Sequence, residues 1–155
     1  MQSLLSIDLK KFSNLAVVSV ATLSFLIPTQ ALAATSDVLG DWYNDTKESK
    51  IQIYKSGNKY FGKIVWLREP NKNGKPKVDD KNPDKNKQKN PLMNLVILRD
   101  LKNVSDDKWE DGKVYDPKNG KEYSCEMKLK NAKTLDLRGY IGFSLLGRTS
   151  TWTKP

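Results

Sequence analysis

From residue 40 onward, apolar and polar side chains alternate with a period of two, and no long window repeats at the 3.6 residues of an amphipathic helix. In "KIQIYKS" (50–56), Ile51 and Ile53 fall on one side. "YFGKIVWL" (60–67) sets Tyr60, Gly62, Ile64 and Trp66 against Phe61, Lys63, Val65 and Leu67. "EYSCEMKLK" (122–130) is the clearest case: Tyr123, Cys125, Met127 and Leu129 face one way, with Ser124, Glu126, Lys128 and Lys130 opposite. Half-buried antiparallel strands have this pattern, because one face packs on a core and the other meets water. "TLDLRGY" (134–140) repeats it with Leu135 and Leu137, and "RTSTWTK" (148–154) alternates again. "GDWY" (40–43), "PLMNLVIL" (91–98) and "WEDGKVY" (109–115) complete the set, with a helical turn or two expected near Asn90 to Leu92.

Tight-turn compositions separate these segments. Ser56-Gly57-Asn58-Lys59 joins two strands as a hairpin, "DPKNG" (116–120) fits a type I turn plus a bulge, and Asn131 to Lys133 makes a third turn. About eight short strands leave two sheet edges to hide, and closing the sheet on itself removes both. The expected fold is therefore all-β, a single up-and-down antiparallel barrel of about eight strands. A barrel of that size holds either packed side chains or one small ligand. The stretch from Arg68 to Asn90 is long for a connection in a small domain and is placed to cover the barrel mouth.

Ahead of the strands, Lys10 and Lys11 precede an apolar run from about Leu15 to Ile27, followed by Pro28 and the small-residue pattern Ala31-Leu32-Ala33. This is the layout of a secretory signal, expected to be cleaved after Ala33. The run falls short of the ~18 residues of a membrane span. Residues 1–33 are thus read as a signal peptide and 34–155 as the barrel domain of a protein exported to the periplasm or the extracellular space. Export permits disulfides, yet Cys125 is the one cysteine, so no intramolecular bridge forms and the core carries stability alone.

Composition then narrows the chemistry. The chain has no histidine, which excludes Ser-His-Asp and Cys-His catalysis and zinc sites built on His and Cys. The remaining carboxylates, lysines and tyrosines stand in no recognisable catalytic constellation, so no enzyme activity and no cofactor are expected.

"DDKNPDKNKQKNP" (79–91) has oxygen-bearing side chains at Asp80, Asn82, Asp84 and Asn86, in the manner of a calcium loop. Counted from Asp80, however, the sixth position is Lys85 rather than Gly and the twelfth is Pro91 rather than Glu. Turn chemistry, not a metal site, is the expectation.

A formal charge of +9 makes anionic partners worth weighing, with the densest cations between Lys72 and Lys89. Acids such as those of "SDDKWED" (105–111) break up that field, and nucleic acid is not expected for an exported chain. Two partner classes remain: a small hydrophobic or amphipathic molecule inside the barrel, and an anionic envelope polymer or lipid surface met by the lysines. Tyr54, Tyr60, Trp66, Tyr115, Tyr140 and Phe143 are the aromatic residues available to line a cavity. The ligand-facing set is expected to be Ile64, Trp66, Tyr115, Leu135 and Leu137. Cys125, on the apolar face of its strand, is expected to be a small core residue.

"GDWYN", "FGKIVWL", "DDKNPD", "PLMNLVIL", "GKVYDPKNGKEYSCEMKL", "TLDLRGYIG" and "LLGRTSTW" together resemble, in order and over nearly the whole span after residue 40, the bacterial exported family called domain of unknown function 2147. The resemblance implies a small lipocalin-like barrel and carries over no catalytic residue. "GDW" is similar to the Gly-x-Trp signature of lipocalins, implying that Gly40 and Trp42 close the barrel floor and that a late arginine, Arg148 or else Arg138, lies across the Trp42 ring. Two departures stand out: Asn94 occupies a position where members usually have Gly, and "KNKQKN" (85–90) lacks the arginine they tend to carry. Lysine there keeps the charge but loses the bidentate geometry of arginine towards an anion.

Overall fold

The alternating segments are strands in the computed structural model, which describes residues 38–155. The expected signal peptide, 1–33, lies outside the described residues. In chain order the strands are β1 (Gly40–Tyr43), β2 (Ser49–Ser56), β3 (Lys59–Leu67), β4 (Asn71–Lys72), β5 (Lys75–Pro76), β6 (Val96–Ser105), β7 (Lys108–Asp116), β8 (Lys121–Asn131), β9 (Thr134–Tyr140) and β10 (Arg148–Thr153). Eight of them close an antiparallel barrel in the order β1-β10-β9-β8-β7-β6-β3-β2, so no long edge is left bare. β4 and β5 form a separate two-residue hairpin inside the β3–β6 connection, turned by Asn73 and Gly74 at φ 52° and 75°. Among the described residues no helix is long and apolar enough to cross a membrane.

Two sequence expectations shift. β6 begins at Val96 and runs to Ser105, later than "PLMNLVIL" suggested, because residues 91–95 turn, with Asn94 at φ 67° and the Leu95 amide donating to the Leu92 carbonyl. Within β6, Asp100 adopts φ 63° and the ladder with β3 slips beside it. That irregularity breaks the alternation, so Ile97, Leu98 and Leu101 are all buried and no period of two remains to be read. The helical turn lies at Lys85–Lys87 rather than near Asn90, where the Asp84 side chain caps it by accepting from the Asn86 amide.

Asn94 sits at φ 67°, with its amide donating to the Ile64 carbonyl at 2.8 Å. Asparagine tolerates this left-handed geometry better than most residues, and glycine adopts it without a Cβ penalty. Asn94→Gly is therefore expected to leave stability within about 0.5 kcal/mol, and Asn94→Ala to cost about 1 kcal/mol. Thermal melting of the two variants checks the difference. Equal losses would mean that the side chain, not the backbone, sets the residue choice.

Side-chain size divides the interior into two halves. Towards the β2–β3, β6–β7 and β8–β9 turns, Trp42, Ile53, Leu98, Leu101, Trp109, Met127 and Leu135 are buried and fill the space. Gly112 admits this packing: a Cβ there would meet Leu101 Cγ at 2.4 Å and Cys125 Sγ at 2.9 Å. Cys125 is itself completely buried, and burial pushes its thiol up to about 12, so it packs as a small apolar residue. Towards the other end, the residues in register are smaller. Ser49 on β2 lies two positions from Ile51, and Ser150 and Gly139 sit on the adjoining strands β10 and β9, where Ser150 pairs with Leu137.

Candidate functional site

The small residues leave a cavity of about 1790 Å³, larger than the ~300–1000 Å³ of drug-sized sites because it opens to solvent at one end. Its base is apolar: Ile51 from β2, Ile64 from β3, Ile97 from β6, Leu137 from β9 and Trp152 from β10. Trp152 is buried with its indole Nε1 donating to Ser150 Oγ at 2.9 Å, so its polar atom is satisfied within the wall. All four connections at the open end contribute to the rim: the β1–β2 turn, the long β3–β6 connection, the β7–β8 turn and the β9–β10 connection.

The β3–β6 connection is held rather than loose. Asp79 is fully buried, although it opens a stretch that is otherwise exposed or half-buried. Its carboxylate accepts from the Tyr115 hydroxyl at 2.7 Å and from Asn82 Nδ2 at 2.6 Å. Burial first, and the neighbouring carboxylate second, push the Tyr115 phenol well above its ordinary range. The phenol therefore stays protonated and keeps donating. Gln88 Nε2 donates to the Asn82 carbonyl at 2.9 Å, and Val78 bridges to Pro91. The oxygens that resembled a calcium loop serve the backbone: Asn82 Oδ1 accepts from the Asp84 amide and Asp84 Oδ1 from the Asn86 amide. Among the described residues no group of three or more His, Cys, Asp or Glu is arranged to hold a metal ion.

Of the residues expected to face a ligand, Ile64, Tyr115 and Leu137 line the cavity, though the Tyr115 hydroxyl is committed to Asp79. Trp66 does not. A bulge shifts the β2–β3 register between the pairs Lys50↔Trp66 and Ile51↔Ile64, and the extra residue, Val65, turns Trp66 to the outer face. There it is 37% exposed, edge-on to Tyr43 at 5.7 Å with Lys50 Nζ over both rings, and Leu67 takes the inward place. Leu135 is fully buried but belongs to the filled half and is not part of the cavity wall. Among the other aromatic candidates Tyr140 lines the cavity, whereas Tyr54 stacks on Phe61, Tyr60 packs edge-on to Trp109 and Phe143 is exposed.

Gly40 opens β1 at φ 106°, and Trp42 follows, fully buried with Nε1 donating to the Val38 carbonyl at 2.8 Å. The cation over its ring is Lys154, with Nζ 5.1 Å from the centroid, and not Arg148. Register explains the correction. Tyr43 pairs with Thr153, which brings Lys154 beside Trp42, whereas Arg148 pairs with Gly139 six residues back along β10, about 20 Å away at the rim. Arg138, the second arginine considered, instead donates to the carbonyls of Ser144 and Leu145 in the β9–β10 connection.

The rim is predominantly basic, with eight cationic and four acidic side chains on the cavity lining. Two of those acids are paired within it, Glu48 with Lys118 at 2.6 Å and Glu69 with Lys77 at 3.5 Å. The hydrogen bond from Lys118 holds the Glu48 carboxyl below its usual range.

The family model described as "Uncharacterized protein conserved in bacteria (DUF2147)" matches residues 40–154. Among solved structures, a similar one is HP1028 from the human pathogen Helicobacter pylori, described as belonging to the lipocalin family. It is 21% identical, with 77% of this chain and 83% of that chain covered and a TM-score of 0.69. At that identity the likeness establishes the fold. No curated protein matches the sequence.

Proposed function

Since the chain belongs to the bacterial family DUF2147 and folds as a lipocalin-like barrel, we propose that it is an exported carrier that takes up one small, partly apolar molecule in the open half of its barrel. The observation that carries this reading is the division of the interior by side-chain size. A barrel built only for stability would fill both halves. This one places Ser49, Gly139 and Ser150 above an apolar base of Ile51, Ile64, Ile97, Leu137 and Trp152. Apolar walls with few polar groups suit a ligand held chiefly by burial of its own apolar surface. Binding is favoured over catalysis because the fully buried carboxylate, Asp79, is engaged by Tyr115 and Asn82 and has no part in the cavity wall.

Native mass spectrometry of protein recovered from its own host tests export and cargo together. The expected mass begins at Ala34 and is accompanied by an adduct that is lost on unfolding. The cavity is tested separately by titrating N-phenyl-1-naphthylamine, a neutral apolar probe, against wild type and Ser49→Phe. Ser150 is left in place because its hydroxyl accepts from Trp152 Nε1, whereas a phenyl ring at Ser49 would occupy the cavity without breaking that bond. Wild type is expected to bind at low and high salt alike, and the variant at least about tenfold more weakly, from loss of roughly one side chain's worth of buried surface. Equal binding by both proteins would place the probe elsewhere and overturn the reading.

A further inference from the structure

Four large apolar side chains stand in water on the β9–β10 connection. Ile141, Phe143, Leu145 and Leu146 are 73%, 79%, 88% and 83% exposed. Single exposed apolar residues are ordinary on soluble proteins, but four within six consecutive positions form a patch that calls for a partner. The exposure does not come from a frayed segment. Arg138 Nε donates to the Ser144 carbonyl at 2.6 Å and its guanidinium also reaches the Leu145 carbonyl at 3.1 Å. The Leu146 amide closes back on Phe143, and the Gly147 amide on Ser144. Gly147 packs so closely on β9 that a Cβ there would lie 2.6 Å from the Gly139 carbonyl oxygen. The backbone is thus fixed in a shape that holds the apolar side chains outward.

Two of the four, Ile141 and Leu146, also border the cavity mouth, next to Arg148 on the same rim. Lys72 and Lys75, at the tip of the β4–β5 hairpin, lie on that rim too, and none of these three cations has an acidic partner among the described residues. An apolar knob beside a cationic collar matches the two layers of a bilayer surface: anionic head groups outside, acyl chains beneath.

We propose that the open end of the barrel docks on an anionic lipid bilayer, with the 141–147 connection entering the acyl boundary and the rim cations resting on head groups. An anionic polymer would satisfy the cations and leave the apolar side chains in water. A second copy of this chain would bring two basic rims together against their own repulsion. The proposal goes beyond the carrier reading, because docking requires nothing of the cavity's contents.

The test is co-sedimentation of the purified protein with vesicles of phosphatidylcholine alone and of mixed phosphatidylcholine and phosphatidylglycerol, together with Phe143→Ser/Leu145→Ser. Both substituted side chains face solvent, so the variant is expected to melt as wild type does. Wild type is expected to partition onto the mixed vesicles about tenfold or more above the neutral ones, given the contribution of several surface cations. The double variant is expected to lose about tenfold or more on the mixed vesicles. Failure of wild type to bind mixed vesicles, or equal binding by the variant, overturns the proposal. So does a wild-type dimer in analytical ultracentrifugation that the same substitutions dissociate, since a second copy would then be the occupant. Because vesicle binding is read separately from N-phenyl-1-naphthylamine uptake, either result stands if the other fails.

Discussion

Replacing Trp42 with alanine is expected to lower the unfolding free energy by about 3–5 kcal/mol, a large share of the ~5–15 kcal/mol typical of a domain this size. Three features place the effect at the upper end. The ring is fully buried, so its loss leaves a void that the closed half of the barrel must hold open. Its Nε1 ties the chain at Val38 to the core, so that carbonyl is left without this donor. Above all, β1 and β10 form the shortest ladder in the barrel, recorded at Tyr43↔Thr153, and the Lys154 ammonium over the Trp42 ring lies across that seam. Removing the ring therefore weakens closure where backbone pairing contributes least. Trp66→Ala is the control: the same residue type on the outer face, part-exposed beside Tyr43, is expected to cost about 1 kcal/mol. Urea unfolding at matched slope measures both. Similar costs would contradict the placement of the two rings.

The comparison of Trp42 with Trp66 also shows what the sequence can and cannot reveal. The sequence pattern places seven of the eight barrel strands, catches only the first three residues of β6, and puts Ile64, Leu137 and Cys125 on the inner face, because a period of two follows from the pleat itself. It failed where one extra residue enters a strand. After Val65 the parity inverts for the rest of β3, so strict alternation puts Trp66 inside and Leu67 outside, the reverse of the structure. The same physics acts within β6, where the irregularity at Asp100 hides the rhythm of Leu98 and Leu101.

Charge and a late position in the chain point to Arg148, whereas the cation over Trp42 is fixed by register, and register between first and last strands is a property of the closed barrel. Asp79 was illegible for a different reason. A carboxylate among lysines and turn residues reads as solvated, and only the tertiary approach of Tyr115, 36 residues later, makes its burial possible. The exposed row Ile141, Phe143, Leu145 and Leu146 is hidden in the sequence by a period of two that runs through Leu145 and resembles more strand, whereas β9 ends at Tyr140 and Ser144–Leu146 forms a 3-10 turn.

That buried carboxylate leads to the second large effect. Gly120 closes the β7–β8 turn at φ 71°, and a Cβ at that position would stand 1.9 Å from the Lys81 carbonyl oxygen and 2.9 Å from its carbon. Both atoms are backbone and cannot rotate away. Gly120→Ala is expected to cost about 2–4 kcal/mol, combining the left-handed penalty with the forced displacement. The turn belongs to a β hairpin of the barrel, so the cheaper relief is for the 79–92 stretch to lift. Lys81 lies two residues from Asp79, so lifting draws the carboxylate away from the Tyr115 hydroxyl and loosens the fold of the connection, exposing the amides of Asp79, Asn82 and Leu92, which now donate to Asn90, Asp79 and Lys77 within it.

Hydrogen exchange is therefore expected to accelerate at these amides and little in β7 and β8. Tyr115→Phe removes the donor without any clash and should give the same pattern at smaller amplitude, about 1–3 kcal/mol. Because the two changes act on one contact, the double variant should fall short of their sum. Acceleration spread evenly over the barrel would mean that the connection and the strands open only together. A rim that opens by itself would instead let the cavity admit and release its contents while the barrel stays closed, since the connection supplies a large part of the mouth.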